Sequence, residues 1–499
     1  MIWLVILVLQ LLLKANSERV FDVRNYGAKR GADISQALMK AWKDAIASTT
    51  PSKILIPKGH WTLSQAHMEG PNKAPINLAV RGTLQAYRDP AQLPVKSQEW
   101  VTINSVNHLT ISGGGVLDGQ GQQAWKRNDC NKNKNCMKLP INLSLNFITD
   151  SIIQDITTKD SKSFHVNCIS SRNVTFQRFT ISAPGDSPNT DGIHIARGNH
   201  IRVLDSIIKT GDDCVSMGDD LNDVLIRNVQ CGPGHGISIG SLGRNVQEKN
   251  IKGITVQGCT FTGTQNGVRI KTWPSAPATL TISDLHFIDL TMVNAGNPIV
   301  FDQKYCPWNQ CDLRRPSLIK ISNVEIKNIR GTSTTPDVLS FMCSKAKPCD
   351  NIRIGLIDLK YNGNKATTIC ENIRPYFSSS LHPSVVVANI CTHNFKQIVD
   401  PNGFSQKTLN KEYINMYWAE FKISDLMLCD EREAVGDTIE NNVAEDIPSE
   451  DPQDKGEAKK RKTMEKRSEV LGQHGWCYNL VKALHLVVRI LSKKSLGKL

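Results

Sequence analysis

Two aspartate pairs lie within eleven residues of one another in the stretch TGDDCVSMGDD, Thr210 to Asp220. Asp212–Asp213 and Asp219–Asp220 can each be read as solvated turn residues or as catalytic carboxyls. Asp191, in NTDGIH, precedes Asp213 by 22 residues, and Asp213 precedes His235, in GPGHGISIGS, by another 22. Farther along, Arg269 and Lys271 of RIK are two apart, so on a strand both would project to the same face. Two aligned cations make a receptor for a carboxylate, and arginine can bind it bidentately. Clustered carboxyls do not ionise equally, so crowding holds a proton on one while another stays charged. That division suits hydrolysis of a glycosidic bond: a protonated carboxyl serves the leaving oxygen and an ionised one activates water. Beside the cations, the substrate would be a chain of acidic sugars. Tyr305, in FDQKYCPW, reads by itself as a packing residue.

These residues cooperate only if the fold stacks them. From about Trp100 the chain is a series of short alternating apolar and polar segments, separated by Gly, Asn and Asp turns. Asn173, His200 and Asp223 open three such segments, at separations of 27 and 23 residues. A period above twenty residues, with more than one strand per turn of chain, points to a β-solenoid whose coils bury their apolar sides only by stacking. A β-sandwich is the competing arrangement, but it would favour hairpins over the same segment returning in each coil. In a parallel solenoid, equivalent positions stand about 4.8 Å apart, so Asp191, Asp213 and His235 would share a column with Asp212 beside it. The segment Asp33 to Ser48 reads as an amphipathic helix with Asp33 as N-cap, covering the open N-terminal end of the stack.

The remaining features concern compartment and partners. Residues 2–13, IWLVILVLQLLL, followed by Ala15-Asn16-Ser17, predict a signal peptide over 1–17 and export of the chain. Twelve apolar residues are too few to span a bilayer, so no stable membrane insertion is expected. Fourteen cysteines suit an oxidising compartment, and Cys130/Cys136, Cys306/Cys311 and Cys343/Cys349 have the spacing of local disulfides. A zinc site is the alternative, disfavoured because no tight Cys-x-x-Cys pair faces another. The sequons at Asn142 and Asn173 are candidate glycosylation sites. The charge of +13 arises before Lys396, where 43 basic residues face 30 acidic ones. A basic exported chain calls for a polyanionic partner, an acidic polysaccharide rather than nucleic acid. After Cys429 the charge blocks predict a largely disordered extension over 396–499, ending in an amphipathic helix around Leu480 to Leu491.

The motifs NTDGIH, GDDC, GHGISIGS and RIK, in this order, resemble the signature set of the polygalacturonases, glycoside hydrolase family 28. The wider text, including IPKG, GGGVLDGQGQQAW, DSKSFHVN and KYCPWNQC, is most similar to the pollen-type exopolygalacturonases of plants. The resemblance runs from about Val20 to Pro375, and implies an all-β, right-handed parallel β-helix over 18–395. It also implies a secreted plant cell-wall enzyme acting on pectin, monomeric, without cofactor or metal, and inverting at the cleaved bond. Asp212 would be the general acid, Asp191 and Asp213 would hold and deprotonate the water, and His235 would sustain the acid. Arg269, Lys271, Tyr305 and Asn189 would bind the sugar, with the carboxyl groups about 6.5–9.5 Å apart. A Cys214–Cys231 disulfide would brace the loops carrying Asp212 and His235. Ile46 and Asn72 stand where relatives carry cysteines, which implies one N-terminal disulfide fewer.

Overall fold

The computed structural model describes residues 18–377, apart from 95–97, 130–132, 134–137, 308, 310 and 365. The signal segment, the Cys130/Cys136 pair and the extension over 396–499 lie outside the described residues. The architecture is a right-handed parallel β-helix. Strands of each coil pair in parallel with those of the coils before and after, forming one sheet of eleven described strands and a contiguous one of twenty-two. Backbone hydrogen bonds therefore run along the axis of the stack. Side chains that alternate along a strand point either into the coil or out of it.

Inward positions build apolar columns. Val166, Ile193, Val215, Ile237, Val268, Ile299 and Leu339 follow one another in register through seven coils, all fully buried. Each coil would leave such a row half exposed, and only the neighbour above and below closes it. The corners have their own column. Asn173, His200, Asp223, Asp284 and Asn323 all have φ between 52° and 61° at equivalent places, with Gly253 at 71° between them. Asn and Asp tolerate this left-handed region better than most residues, which is why the period was visible through them. The segment openers Asn173, His200 and Asp223 thus occupy equivalent corners.

The N-terminal helix spans Ser35–Ala47 and buries Ala37, Leu38, Ala41, Trp42 and Ala45. Its N-cap is Ile34 rather than Asp33. Asp33 acts from one position outside, accepting from the Ser35 backbone N–H at 3.0 Å and from that of Ser64 at 3.0 Å. Cap and stack are joined through edge-strand carbonyls: Ile34 N–H donates to Thr62 O at 2.9 Å, and Trp42 Nε1–H to Glu69 O at 2.9 Å. Asn72 donates to Asn107 O at 2.7 Å and accepts from Asn107 N–H at 2.9 Å. Lys73 N–H reaches Ile46 O at 3.2 Å.

Candidate active site

The eleven-stranded sheet carries the candidate residues on its outward face. Asp191 precedes the strand Ile193–Ala196, Asp212 precedes Asp213–Met217, and His235 precedes Gly236–Leu242. Arg269 and Lys271 lie on Asn266–Thr272. Register alters one expectation. Val215 pairs with Ile237, 22 residues on, but a bulge makes Asp213 pair with Gly236. His235 consequently stands opposite Asp212, not Asp213. Its backbone N–H donates to Asp212 O at 2.7 Å, and its Nδ1 lies 3.0 Å from Asp212 Oδ1. The glycines on either side make this approach possible: Gly234 has φ +132° and Gly236 +88°, and a Cβ on Gly236 would meet Asn266 O at 2.2 Å. A Cys214–Cys231 disulfide is present, joining the strand after Asp213 to the segment before His235. Cys306–Cys311 and Cys343–Cys349 are bonded as their spacing suggested.

Asp213 is buried and doubly held. Its Oδ1 accepts from Ser238 Oγ at 2.7 Å and its Oδ2 from Lys271 Nζ at 2.9 Å. Asp191 is 6% exposed. Burial, then the charges of Asp212 and Asp213, push its pKa well above the ordinary carboxyl value. Burial also opposes ionisation of Asp212, but the His235 hydrogen bond and charge outweigh it and hold this carboxyl below its usual range. The imidazole of His235 responds in kind: burial lowers its proton affinity, and Asp212 more than restores it. Both shifts place the proton of this pair on the imidazole, with Asp212 ionised beside it, while ionisation of Asp191 is disfavoured. Single oxygens of Asp212 and Asp213 and a ring nitrogen of His235 lie within 4.8 Å of one another, close enough to gather a cation. Lys271 already supplies a positive charge to Asp213 there.

The two cations share a face, as their spacing required, but each has a carboxylate of its own. Lys271 is engaged with Asp213, and Arg269 Nη2 lies 3.2 Å from Asp302 Oδ2. Asp302 carried no sequence signal beyond its place on the next coil. The Arg269 Nε–H is buried without a partner, a donor left available to a ligand carboxylate. Tyr305 lies beside both cations, its ring centre 5.1 Å from the Arg269 guanidinium carbon and 5.7 Å from Lys271 Nζ. It is therefore brought into the cluster rather than into the core. Asn189 lies two residues before Asp191 in sequence, and its Oδ1 accepts from Asn128 Nδ2 at 3.1 Å.

Other candidates fall elsewhere. Asp219 lies 3.7 Å from Arg197, and Asp220 2.8 Å from Lys249 Nζ, so this pair fastens a turn. Asn173 is exposed, as a glycan acceptor must be. Asn142 is corrected: it is 2% exposed, and its amide nitrogen donates to Thr158 Oγ1 at 2.9 Å and to two backbone carbonyls. A glycan on that nitrogen has no room. Sequence reading also missed Ser238, although a residue 25 positions after Asp213 could have been sought once the coil period was known.

The profile of glycosyl hydrolases family 28 matches residues 47–382. A polygalacturonase of Nicotiana tabacum is 50% identical over 372 residues, covering 74% of this chain and 92% of that protein. An exopolygalacturonase of Platanus acerifolia is 48% identical over 376 residues, covering 75% of this chain and 99% of that one. Among solved structures, a hyperthermoactive exopolygalacturonase from Thermotoga maritima shares the fold at a TM-score of 0.59 and 17% identity, over 74% of this chain and 94% of that chain. A matched span this long, over the coils that carry the aspartate cluster, places the chain in glycosyl hydrolases family 28.

Proposed function

We propose that this family 28 hydrolase cleaves the α-1,4-galacturonosyl bonds of polygalacturonate, the acidic chain of pectin, from chain ends and with inversion. The observation that carries the reading is the convergence of Asp191, Asp212, Asp213 and His235 beside Arg269 and Lys271. Asp212 gives its proton to the glycosidic oxygen as the anomeric C–O bond breaks. Because His235 holds Asp212 ionised at rest, that proton comes from the His235 imidazolium through Asp212 Oδ1 as the bond breaks. Water attacks the anomeric carbon from the opposite face, and its proton passes to the carboxylates of Asp191 and Asp213. Lys271 lends its positive charge to Asp213, and Asp191, held above the ordinary carboxyl value by burial and by the charges of Asp212 and Asp213, is the base that releases its proton late as pH rises. The unpartnered Arg269 Nε–H receives the galacturonate carboxylate, with Tyr305 and Asn189 against the sugar.

The exopolygalacturonase of Platanus acerifolia, 48% identical to this chain, supports action from chain ends. The extracellular plant cell wall, where pectin is found, is the proposed site of action. No helix of the described residues is long and apolar enough to cross a membrane. The test is digestion of polygalacturonate with product sizes and anomeric configuration followed from the first minutes. Galacturonate monomer released from the start, with inverted configuration, is expected. Early mixed oligomers would replace the exo reading with an endo one, and binding without turnover would leave a pectin-binding protein. An unsaturated, ultraviolet-absorbing product would identify a lyase instead.

A further inference from the structure

The coil between Asp213 and Lys271 presents almost nothing outward. Its strand, Gly236–Leu242, begins Gly-Ile-Ser-Ile-Gly. Ile237 and Ile239 turn into the core and are fully buried, so Gly236, Ser238 and Gly240 alternate onto the outward face. Two of these three have no side chain. Asp213 stands one coil before, opposite Gly236, and Arg269 one coil after, opposite Ser238. Lys271 is two residues past Arg269 on the same face. The Asp213–Lys271 ion pair, at 2.9 Å, therefore reaches across a whole coil. Ser238 is the one side chain on this stretch of floor. It is fully buried, and its hydroxyl donates to Asp213 Oδ1 at 2.7 Å while Lys271 holds Oδ2.

The two contacts do different work. Lys271 brings a charge, but one donor on one oxygen leaves the carboxylate its soft torsion, since χ2 of aspartate is broad and roughly two-fold. A second donor on the other oxygen stops that rotation. Ser238 has a single hydroxyl hydrogen, spent here, and adds no second charge. Each carboxylate oxygen keeps a further lone pair, and once the plane is fixed those lone pairs have one direction. For a group that takes a proton from an attacking water, direction governs rate: a displacement of about 1 Å can cost about a hundredfold. Nothing else replaces the hydroxyl, because the space left by one buried oxygen is too small for a water.

We infer that Ser238 is a positioning residue for Asp213, locking the plane of the carboxylate so that its remaining lone pairs meet the attacking water. The inference rests on the reading of Asp213 as half of the base. Sealed beneath the carboxylate, Ser238 acts through Asp213 alone.

The experiment is a double-mutant cycle in the full chain. It compares kcat and KM on polygalacturonate for the parent, S238A, D213N and S238A/D213N, with the fold of each checked by urea titration. Loss of a hydrogen bond to a charged group is expected to lower kcat of S238A by about thirtyfold, with KM unchanged. D213N falls further, to the residual turnover that the general acid and substrate binding supply. On that background S238A adds nothing, because no carboxylate remains to be oriented. An equal loss from S238A in both backgrounds would show a packing role and overturn the inference. So would a parental kcat in S238A, or an S238A chain that does not fold. D213N also separates the inference from the reading beneath it. Parental kcat in D213N removes Asp213 from the base, and Ser238 with it. A crippled D213N beside S238A at parental kcat removes Ser238 alone.

Discussion

Two aspartate pairs, seven residues apart on the same run of chain, live under opposite physical conditions. Asp212–Asp213 is turned toward the sheet face, where Asp213 is 3% exposed and its two oxygens are held by Ser238 and Lys271. Asp219–Asp220 sits at the end of that strand, where Asp220 is well exposed and paired to an exposed Lys249. The first pair is desolvated and surrounded by titratable groups, and Asp212 is shifted in its proton affinity. The second does what surface ion pairs do, adding little and holding a corner. Residue type is identical in the two places. Burial and coil register separate the proposed reactive carboxyls from the structural ones.

The contrast predicts its own test. D212N removes the proton donor and should lower kcat by about a thousandfold, with polygalacturonate binding kept, as steady-state kinetics and equilibrium binding would show. K271M leaves Asp213 buried without its cation. A stability loss of about 3–5 kcal/mol in urea titrations is expected, together with loss of activity.

The pH dependence of the parent should be bell-shaped. Asp191, raised by burial and by its neighbours, sets an acid limb above the ordinary carboxyl value. The Asp212–His235 pair, whose imidazole is held above its ordinary value, sets the basic limb. A profile flat on the acid side down to the ordinary carboxyl range would contradict the Asp191 assignment.

Stability follows the same shift. Because Asp191 is raised in the folded chain, its protonation favours the fold, and that contribution is present below the ordinary carboxyl value of 3.8 and lost as pH rises through the higher folded value. D191N should therefore melt at higher temperature than the parent at neutral pH, the difference closing in acid. At the small end, D220N should change stability by about 0.5 kcal/mol and leave kcat unaltered. A loss of activity there would erase the distinction between the two pairs.

Much of this arrangement was legible in the sequence because a solenoid writes its period into the chain. The corner residues Asn173, His200 and Asp223 repeat visibly, and the period placed Asp191 near Asp213 without any contact being known. The one-residue bulge between Asp213 and Val215 was not legible, since nothing in GDDCV distinguishes a bulged strand from a regular one. It moved His235 from one aspartate to the other. The roles of Ser238 and Asp302 were also hidden: serine is common on outward strand faces, and only the column it falls in gives Ser238 a carboxylate to serve. The cations were read as a receptor for a carboxylate, and their ion pairs to Asp302 and Asp213 were not foreseen. Pairing across coils depends on side-chain reach, which spacing alone does not encode. Asn142 shows the same limit, since a sequon carries no information about burial.

The helix Ser35–Ala47 has a consequence beyond filling the end of the molecule. Every coil here is held by the same ladder of backbone hydrogen bonds, and nothing in that ladder tells one coil from a coil of another molecule. A first coil with open carbonyls would be a growth point, and the protein would be a monomer unit of a fibre. By taking Thr62 O through Ile34 and Glu69 O through Trp42, the cap converts a repeating lattice into a particle with a beginning. The terminator is secured both by the buried apolar face of the helix, Ala37, Leu38, Ala41, Trp42 and Ala45, and by these backbone contacts, so shutting off the first coil is part of forming the core itself.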